Sequence, residues 1–298
     1  MFKNFYFFIF VFLTSFCCNS QKMNVLNSKT KTPVPFANYY LFLNENIVKA
    51  GYCSENGEIY IPKEVLYDKI KLTSIGYENF EILEKDIKDD TLLFVPAVYH
   101  LKEIEIIKNK TDELISLGYL KSKRKAWLSA TKGMKICTFI ENPFLQPKLI
   151  HSFLFKIRNN NETKLGFKLH LFEKDTITNA PGKELLKEDI VIVLEGKSKK
   201  DVEHDVSLYN IDFPAKGAFV GIEWFGVLNE NNDDFNGIDT QNGYIELNDV
   251  SKEFNTFQQD VFSFFPWKNM EKFKKISEEH TNFRNCPTAS FGLKLYKD

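Results

Sequence analysis

The chain has few of the residues that staple or punctuate small folds. Its 298 residues hold 5 cysteines, 4 methionines, 14 glycines and 10 prolines. So little glycine and proline excludes collagen-like and low-complexity chains. The cysteines form no Cys-x-x-Cys pair, so a structural zinc site is not expected. Cys53, Cys137 and Cys286 are odd in number and widely spaced; they read as buried free thiols, with room for at most one disulfide. An excess of either charge is lacking too: 39 Lys and Arg stand against 40 Asp and Glu, a net charge of −1. That balance argues against a broad nucleic-acid-binding face, which needs net positive charge or a clustered patch. Beyond residue 20 no run reaches the roughly 18 apolar residues of a membrane-spanning helix. Gly-x-Ser-x-Gly, P-loop, Gly-x-Gly-x-x-Gly and His-Glu-x-x-His signatures are all absent.

What is present is apolar and aromatic. Hydrophobic residues make up 43% of the chain, with 29 Phe and 12 Tyr, which argues against disorder and suits β-rich cores. The N-terminus reads as an export signal. Lys3 gives a short positive region, Phe5 to Phe16 is almost wholly apolar, and Cys18-Asn19-Ser20 places small residues for a cut after Ser20. Residues 1–20 are therefore expected to be a signal peptide, and the mature chain to lack a transmembrane segment. Lipid attachment at Cys17 or Cys18 is the rival, but Phe16 and Cys17 precede them where a small residue is required. The expected location is exported: periplasmic, outer-membrane-associated or extracellular.

Residues 21–108 read as short strands with tight turns. Asn38–Leu43 is aromatic and apolar, and Ile70 and Leu72 alternate with polar neighbours. Asn56-Gly57 separates Gly51-Tyr52-Cys53 from Ile59-Tyr60-Ile61 and predicts a hairpin, because Gly supplies positive φ there. The ordered series Pro35-x-Ala37-Asn38, Asn56-Gly57, Ser74-Ile75-Gly76-Tyr77 and Leu101-x-Glu103-Ile104 resembles the carboxypeptidase-regulatory-like domain found in exported proteins of Bacteroidetes-type bacteria. The resemblance covers about residues 22–107 and implies a transthyretin-like β-sandwich. It departs from the family at the first strand, where Met23-Asn24-Val25 replaces a Gly-x-Val opening.

Residues 109–134 read as a linker. Asp112–Gly118 is expected to form a short helix stopped by Gly118, and the basic run Lys121, Lys123, Arg124 and Lys125 is expected to be solvated. From 135 to 298 strand patterns return: Phe153, Phe155 and Ile157 alternate, as do Phe167, Leu169 and Leu171. Ile190–Leu194 is a continuous apolar run, as a strand covered on both faces would be. This half is similar to jelly-roll modules, so the whole is expected to be all-β, a transthyretin-like sandwich followed by a larger jelly-roll-like one.

Candidate chemistry is sparse. His100-x-x-Glu103 spells a zinc pair, but residues three apart on a strand face opposite ways. His204, among Asp201, Glu203 and Asp205, reads as part of a solvated acidic turn. Asn232, Asp234, Asn236 and Asp239 resemble half a calcium loop; the twelfth position from Asn232 is Gly243, where an EF-hand needs Glu. Calcium is the one cofactor these residues suggest. Val220, Ile222 and Trp224 share one strand face, so Trp224 is expected in the core. Phe264, Phe265 and Trp267 follow a polar segment and read as a loop plug or a partner patch. The expected function is a non-enzymatic exported binding or scaffold protein of the cell envelope, with a protein or glycan partner and no nucleic acid. Two alternatives stay open: a carbohydrate-binding accessory protein, and a glycoside hydrolase whose carboxylate pair is set by space rather than spacing.

Overall fold

The computed structural model describes residues 20–98, 113–160, 164–228, 235–236, 243–271 and 283–297. The fold is all-β: among the described residues the only helical elements are single 3-10 turns. None of the described helical segments is long and apolar enough to cross a membrane. Contacts divide the chain into two compact units. Glu78–Pro96 joins the chain up to Thr73, and Ser74–Tyr77 joins the chain from Ala97 onward.

The first unit contains β1 (Ser20–Asn27), β2 (Asn38–Leu43), β3 (Asn46–Tyr52), β4 (Glu58–Pro62), β5 (Lys69–Thr73), β6 (Phe80–Leu83) and β7 (Thr91–Phe94). They form a three-stranded sheet, β4-β1-β7, and a four-stranded sheet, β3-β2-β5-β6. β1 runs antiparallel to β4 and parallel to β7. Met23, Val25, Ile59, Ile61, Leu92 and Phe94 are buried in the first sheet, and Leu41, Ile70 and Leu72 in the second. Ile70 and Leu72 alternate with half-exposed Lys69 and Lys71, the period-2 pattern of a strand with one covered face.

The expected Asn56-Gly57 hairpin is corrected. Gly57 does take φ +70°, but β3 pairs with β2 while β4 pairs with β1. The turn carries the chain from one sheet to the other. Turn chemistry fixes the local reversal and not which strands pair. The hairpin of this region is β2–β3, where Leu43 opposes Asn46. Asn44 and Glu45 both have positive φ there, as a two-residue type I′ turn demands.

The second unit contains β8 (Leu114–Gly118), β9 (Lys125–Ser129), β10 (Met134–Ile140), β11 (Lys148–Asn159), β12 (Leu165–Lys174), β13 (Pro181–Glu184), β14 (Val191–Leu194) and β15 (Ser198–Asp205). It continues with β16 (Asp212–Phe213), β17 (Ala218–Leu228), β18 (Phe235–Asn236), β19 (Gly243–Asn248), β20 (Thr256–Asp260), β21 (Lys268–Asn269), β22 (Thr288–Ala289) and β23 (Phe291–Tyr296). One sheet runs β13-β12-β17-β10-β20-β21, with β14 on β12 and β18 on β17. The other runs β22-β19-β11-β23-β8, with β15 and β16 on β11 and β9 on β19.

Alternation builds the sandwich core. Phe153, Phe155 and Ile157 of β11 meet Phe167, Leu169 and Leu171 of β12 and Val220, Ile222 and Trp224 of β17 in one buried cluster. Phe155 sits edge-on to Phe167 at 6.0 Å and to Phe291 at 5.0 Å, and Phe167 stacks on Trp224 at 6.1 Å. Each such ring contributes roughly 1.5–3 kcal/mol by leaving water.

Two further expectations are corrected. The short helix at 112–118 is not there: Leu114–Gly118 is β8, antiparallel to β23. Its burial alternates with a period of two, and Gly118 ends it at φ +112°, where a Cβ would strike the Phe291 carbonyl oxygen. With β9 it makes the expected linker part of the second unit. The run at 190–194 is covered on one face only, since Ile192 is buried and Val193 is 40% exposed. Among the described residues β14 pairs with β12 alone, and the face that carries Val193 has no second layer over it.

Candidate functional site

The second sheet of the second unit carries an open basic face. Its construction begins at Asp249, just after β19. That carboxylate is almost wholly buried and accepts from the Arg284 amide at 2.9 Å, Arg124 Nη1 at 3.2 Å and Ser122 Oγ at 3.3 Å. Burial pushes its carboxyl up, but the Arg284 N–H, the Arg124 guanidinium and Ser122 together hold it below the ordinary 3.8. Tied in this way, Ser122 and Arg124 turn inward, while Lys121, Lys123 and Lys125 are exposed.

Lys125 Nζ meets Glu246 Oε2 at 3.1 Å, and Glu246 Oε1 accepts from Ser290 Oγ at 3.0 Å. Lys156, on β11, reaches Asp201 at 3.2 Å. Leu120, Lys121, Ser122, Lys123, Lys125 and Lys156 together line an open depression of about 440 Å3. Among the described residues, Lys121 and Lys123 have no ion pair. Two unpaired ammonium groups beside two paired ones attract an anion and lose little hydration until it arrives.

Aromatic residues stand on the same face. Residues two apart on a strand point the same way, so Trp127 accompanies Lys125 and Arg158 accompanies Lys156. Tyr244 lies directly opposite Arg158 across the β11–β19 pair. The Arg158 guanidinium lies 5.2 Å from the Trp127 ring and 4.9 Å from the Tyr244 ring. Its Nε is buried and has no hydrogen-bond partner among the described residues.

The outer face of the other sheet is closed. His170 on β12 contacts Glu184 through Nδ1 at 2.5 Å and Glu223 through Nε2 at 3.0 Å. Lys135 on β10 reaches Glu223 at 3.2 Å, and Lys168 reaches Asp189 at 2.9 Å. Glu223 is 1% exposed. Burial raises its carboxyl, yet Lys135, His170 and Lys168 outweigh that and hold it well below the ordinary 4.5. His170 stacks on Phe172, and Trp267 sits edge-on to Phe172 at 5.4 Å. Glu184 and Glu223 bracket one imidazole, but in a buried sheet face rather than a cleft.

The residues singled out from the sequence fall as follows. Asn232, Asp234 and Asp239 lie outside the described residues. Asn236 lies in β18, its backbone opposite Val227. Among the described residues no group of three or more His, Cys, Asp or Glu is arranged to hold a metal ion. Phe264 and Phe265 are 47% and 55% exposed, and Lys268 Nζ lies 4.8 Å over the Phe265 ring. Trp267 is half-buried with the Cys137, Phe172, Phe219 and Phe257 cluster, so the three aromatics do not form one patch. Trp224 is in the core.

The acidic residues around His204 are dispersed. Glu203 pairs with Lys294, Asp201 with Lys156, and Asp205 caps the Ser207 amide. Burial lowers the His204 pKa below 6.5. Cys53, Cys137 and Cys286 are buried free thiols. His100, Glu103 and residues 1–19, with Cys17 and Cys18, lie outside the described residues.

Trp127, Lys156, Arg158 and Tyr244 escape a reading of the sequence. Lys125-Ala126-Trp127 and Lys156-Ile157-Arg158 do show polar or aromatic residues flanking an apolar one. Nothing in either triplet shows that β19 brings them onto one surface. No protein-family model, curated protein or solved structure matches the chain.

Proposed function

We propose that the protein is an exported binding or scaffold protein of the cell envelope that holds an anionic ligand on the basic face of its second sandwich. The export pattern at residues 1–20, the regulatory-like resemblance of residues 22–107 and the jelly-roll likeness of the second half support the setting. The observation that carries the binding reading is the pair Lys121 and Lys123, held outward over an open depression by the Asp249-anchored turn. Two exposed ammonium groups over the depression make its potential positive, which favours a negatively charged ligand over a neutral one.

The test is binding of the full chain to dextran sulfate and to neutral dextran across a salt series. Dextran sulfate binds, and the affinity falls as salt screens the lysines. Removing two exposed cations in Lys121→Ala/Lys123→Ala costs about 1–2 kcal/mol, or roughly fivefold to thirtyfold in affinity. Equal binding by wild type and double variant overturns the reading. The Trp127–Arg158–Tyr244 stack favours an acidic sugar among anionic ligands, which joins this reading to the carbohydrate-binding alternative.

A further inference from the structure

We infer that Arg158 is the specificity-determining residue of this face, and that its ligand is an acidic polysaccharide whose sugar carboxylates the guanidinium takes. The inference rests on the anion-binding reading above. Arg158 differs from the two strand lysines beside it. Lys125 is matched by Glu246 and Lys156 by Asp201. Among the described residues the Arg158 side chain has neither an ion pair nor a hydrogen bond, and its Nε is buried without an acceptor. A buried donor without an acceptor is costly to keep, and such groups call for a specific explanation. The Nη edge of the same guanidinium is not sealed in this way, and it is there that an arriving oxyanion meets the charge.

The two rings explain why the residue is arginine. Trp127 and Tyr244 hold the guanidinium at 5.2 and 4.9 Å, which fixes a planar fork in advance of binding. A fixed fork matches the two oxygens of a carboxylate, and a lysine in its place offers only a point charge. The rings are committed to the cation, so they are not an open platform for stacked bases, which single-stranded nucleic acid requires. The depression lined by Lys125 and Lys156, two residues along their strands from Trp127 and Arg158, has one apolar lining residue, Leu120, and is otherwise lined by lysines and a serine. Protein partners are gripped by aromatic and aliphatic anchors in apolar pockets. A lysine-lined surface suits a hydrated chain carrying repeated negative charges. One fork and several exposed lysines together read a linear acid polymer, the fork selecting carboxylate and the lysines holding its neighbours.

The experiment titrates the full-length chain with polygalacturonate, dextran sulfate, neutral dextran, poly-L-glutamate and a single-stranded oligonucleotide. Wild type binds polygalacturonate most tightly. Arg158→Lys keeps the charge and loses the fork, and it weakens that binding by about tenfold while its binding to dextran sulfate changes by less than about threefold. In wild type, saturating polygalacturonate also protects Arg158 from phenylglyoxal, read by peptide mass; this holds whether or not the variant folds. Unchanged polygalacturonate affinity in folded Arg158→Lys, or an unprotected Arg158, overturns the inference and leaves anion binding standing. Tighter binding of the oligonucleotide, dextran sulfate or poly-L-glutamate overturns the polysaccharide assignment. Failure of wild type to bind any polyanion overturns the anion-binding reading itself.

Discussion

Glu223→Gln removes one charge from a buried network. Glu223 is 1% exposed and stands between Lys135 at 3.2 Å and His170 Nε2 at 3.0 Å. Removing one partner of a buried ion pair costs about 3–5 kcal/mol, because the other charge stays behind uncompensated. Gln keeps an acceptor for His170, and His170 keeps Glu184, so the lower end, about 3 kcal/mol, is expected. Lys135 is partly exposed, and Lys135→Met leaves Glu223 with His170; about 1–2 kcal/mol is expected there. The double variant then costs less than the sum by at least about 1 kcal/mol, the signature of direct coupling. Urea unfolding followed by tryptophan fluorescence reads this cleanly, since all three tryptophans, Trp127, Trp224 and Trp267, lie in the second unit. The pH dependence gives a second check. The folded carboxyl lies well below its ordinary 4.5, so its contribution is full above about pH 4.5 and is lost as pH falls through the folded value. The gap between wild type and Glu223→Gln therefore narrows in acid. A Glu223→Gln protein within about 0.5 kcal/mol of wild type at neutral pH refutes the argument.

Asp249→Asn separates positioning from bulk charge. Coulomb attraction alone makes it bind anions more tightly, since a carboxylate is lost; release of Arg124 and Ser122 makes it bind more weakly, and weaker binding of dextran sulfate is the expected result. Tyr67, in the first unit, is pushed up to about 12 by burial and by the charges of Glu84 and Asp90. Its raised pKa means a contribution that is full below pH 10 and is lost as pH rises toward 12, so alkaline difference spectroscopy shows a late tyrosine that Tyr67→Phe abolishes.

The core was legible because its signal is local. Phe153, Phe155 and Ile157, or Phe167, Leu169 and Leu171, declare a covered strand face without reference to anything distant. The errors fall where a short segment answers to a remote one. Asp112-Glu113 ahead of Leu114-Ile115-Ser116-Leu117 with a closing Gly118 has the outline of a helical turn. Its pairing with Leu114–Gly118 is supplied by Gly292–Tyr296, at the far end of the chain. Asn56-Gly57 promised a reversal and delivered one, but the partner of β4 is β1. The basic run at 121–125 was visible as charge and invisible as a site. Asp249 anchors it, Glu246 orders one lysine, and β11 contributes Lys156 and Arg158. None of these is close to it in sequence.

Both sheets of the second unit use buried charge to pin strand register, and only one leaves the result open to solvent. Glu223 lies directly opposite Lys135 on β10 and Lys168 on β12. Slipping β17 by one residue would turn that carboxylate into the core beside Phe167 and push Trp224 outward. Buried ion networks often add no net stability over apolar residues of the same size, so fixing the register is the contribution this one makes. Glu246 acts likewise on the other sheet, opposite Trp127 and bonded to Lys125 and Ser290. A one-residue slip of β9 against β19 would turn Trp127 and Lys125 into the core. Pinning this pair therefore places a tryptophan beside Arg158 and a lysine beside the depression at once. On the first sheet Glu184, Asp189 and Trp267 fold over the charged row and complete it. On the second, Trp127 and Tyr244 hold the Arg158 guanidinium but no carboxylate among the described residues pairs with it, so this row is left open where the other is closed.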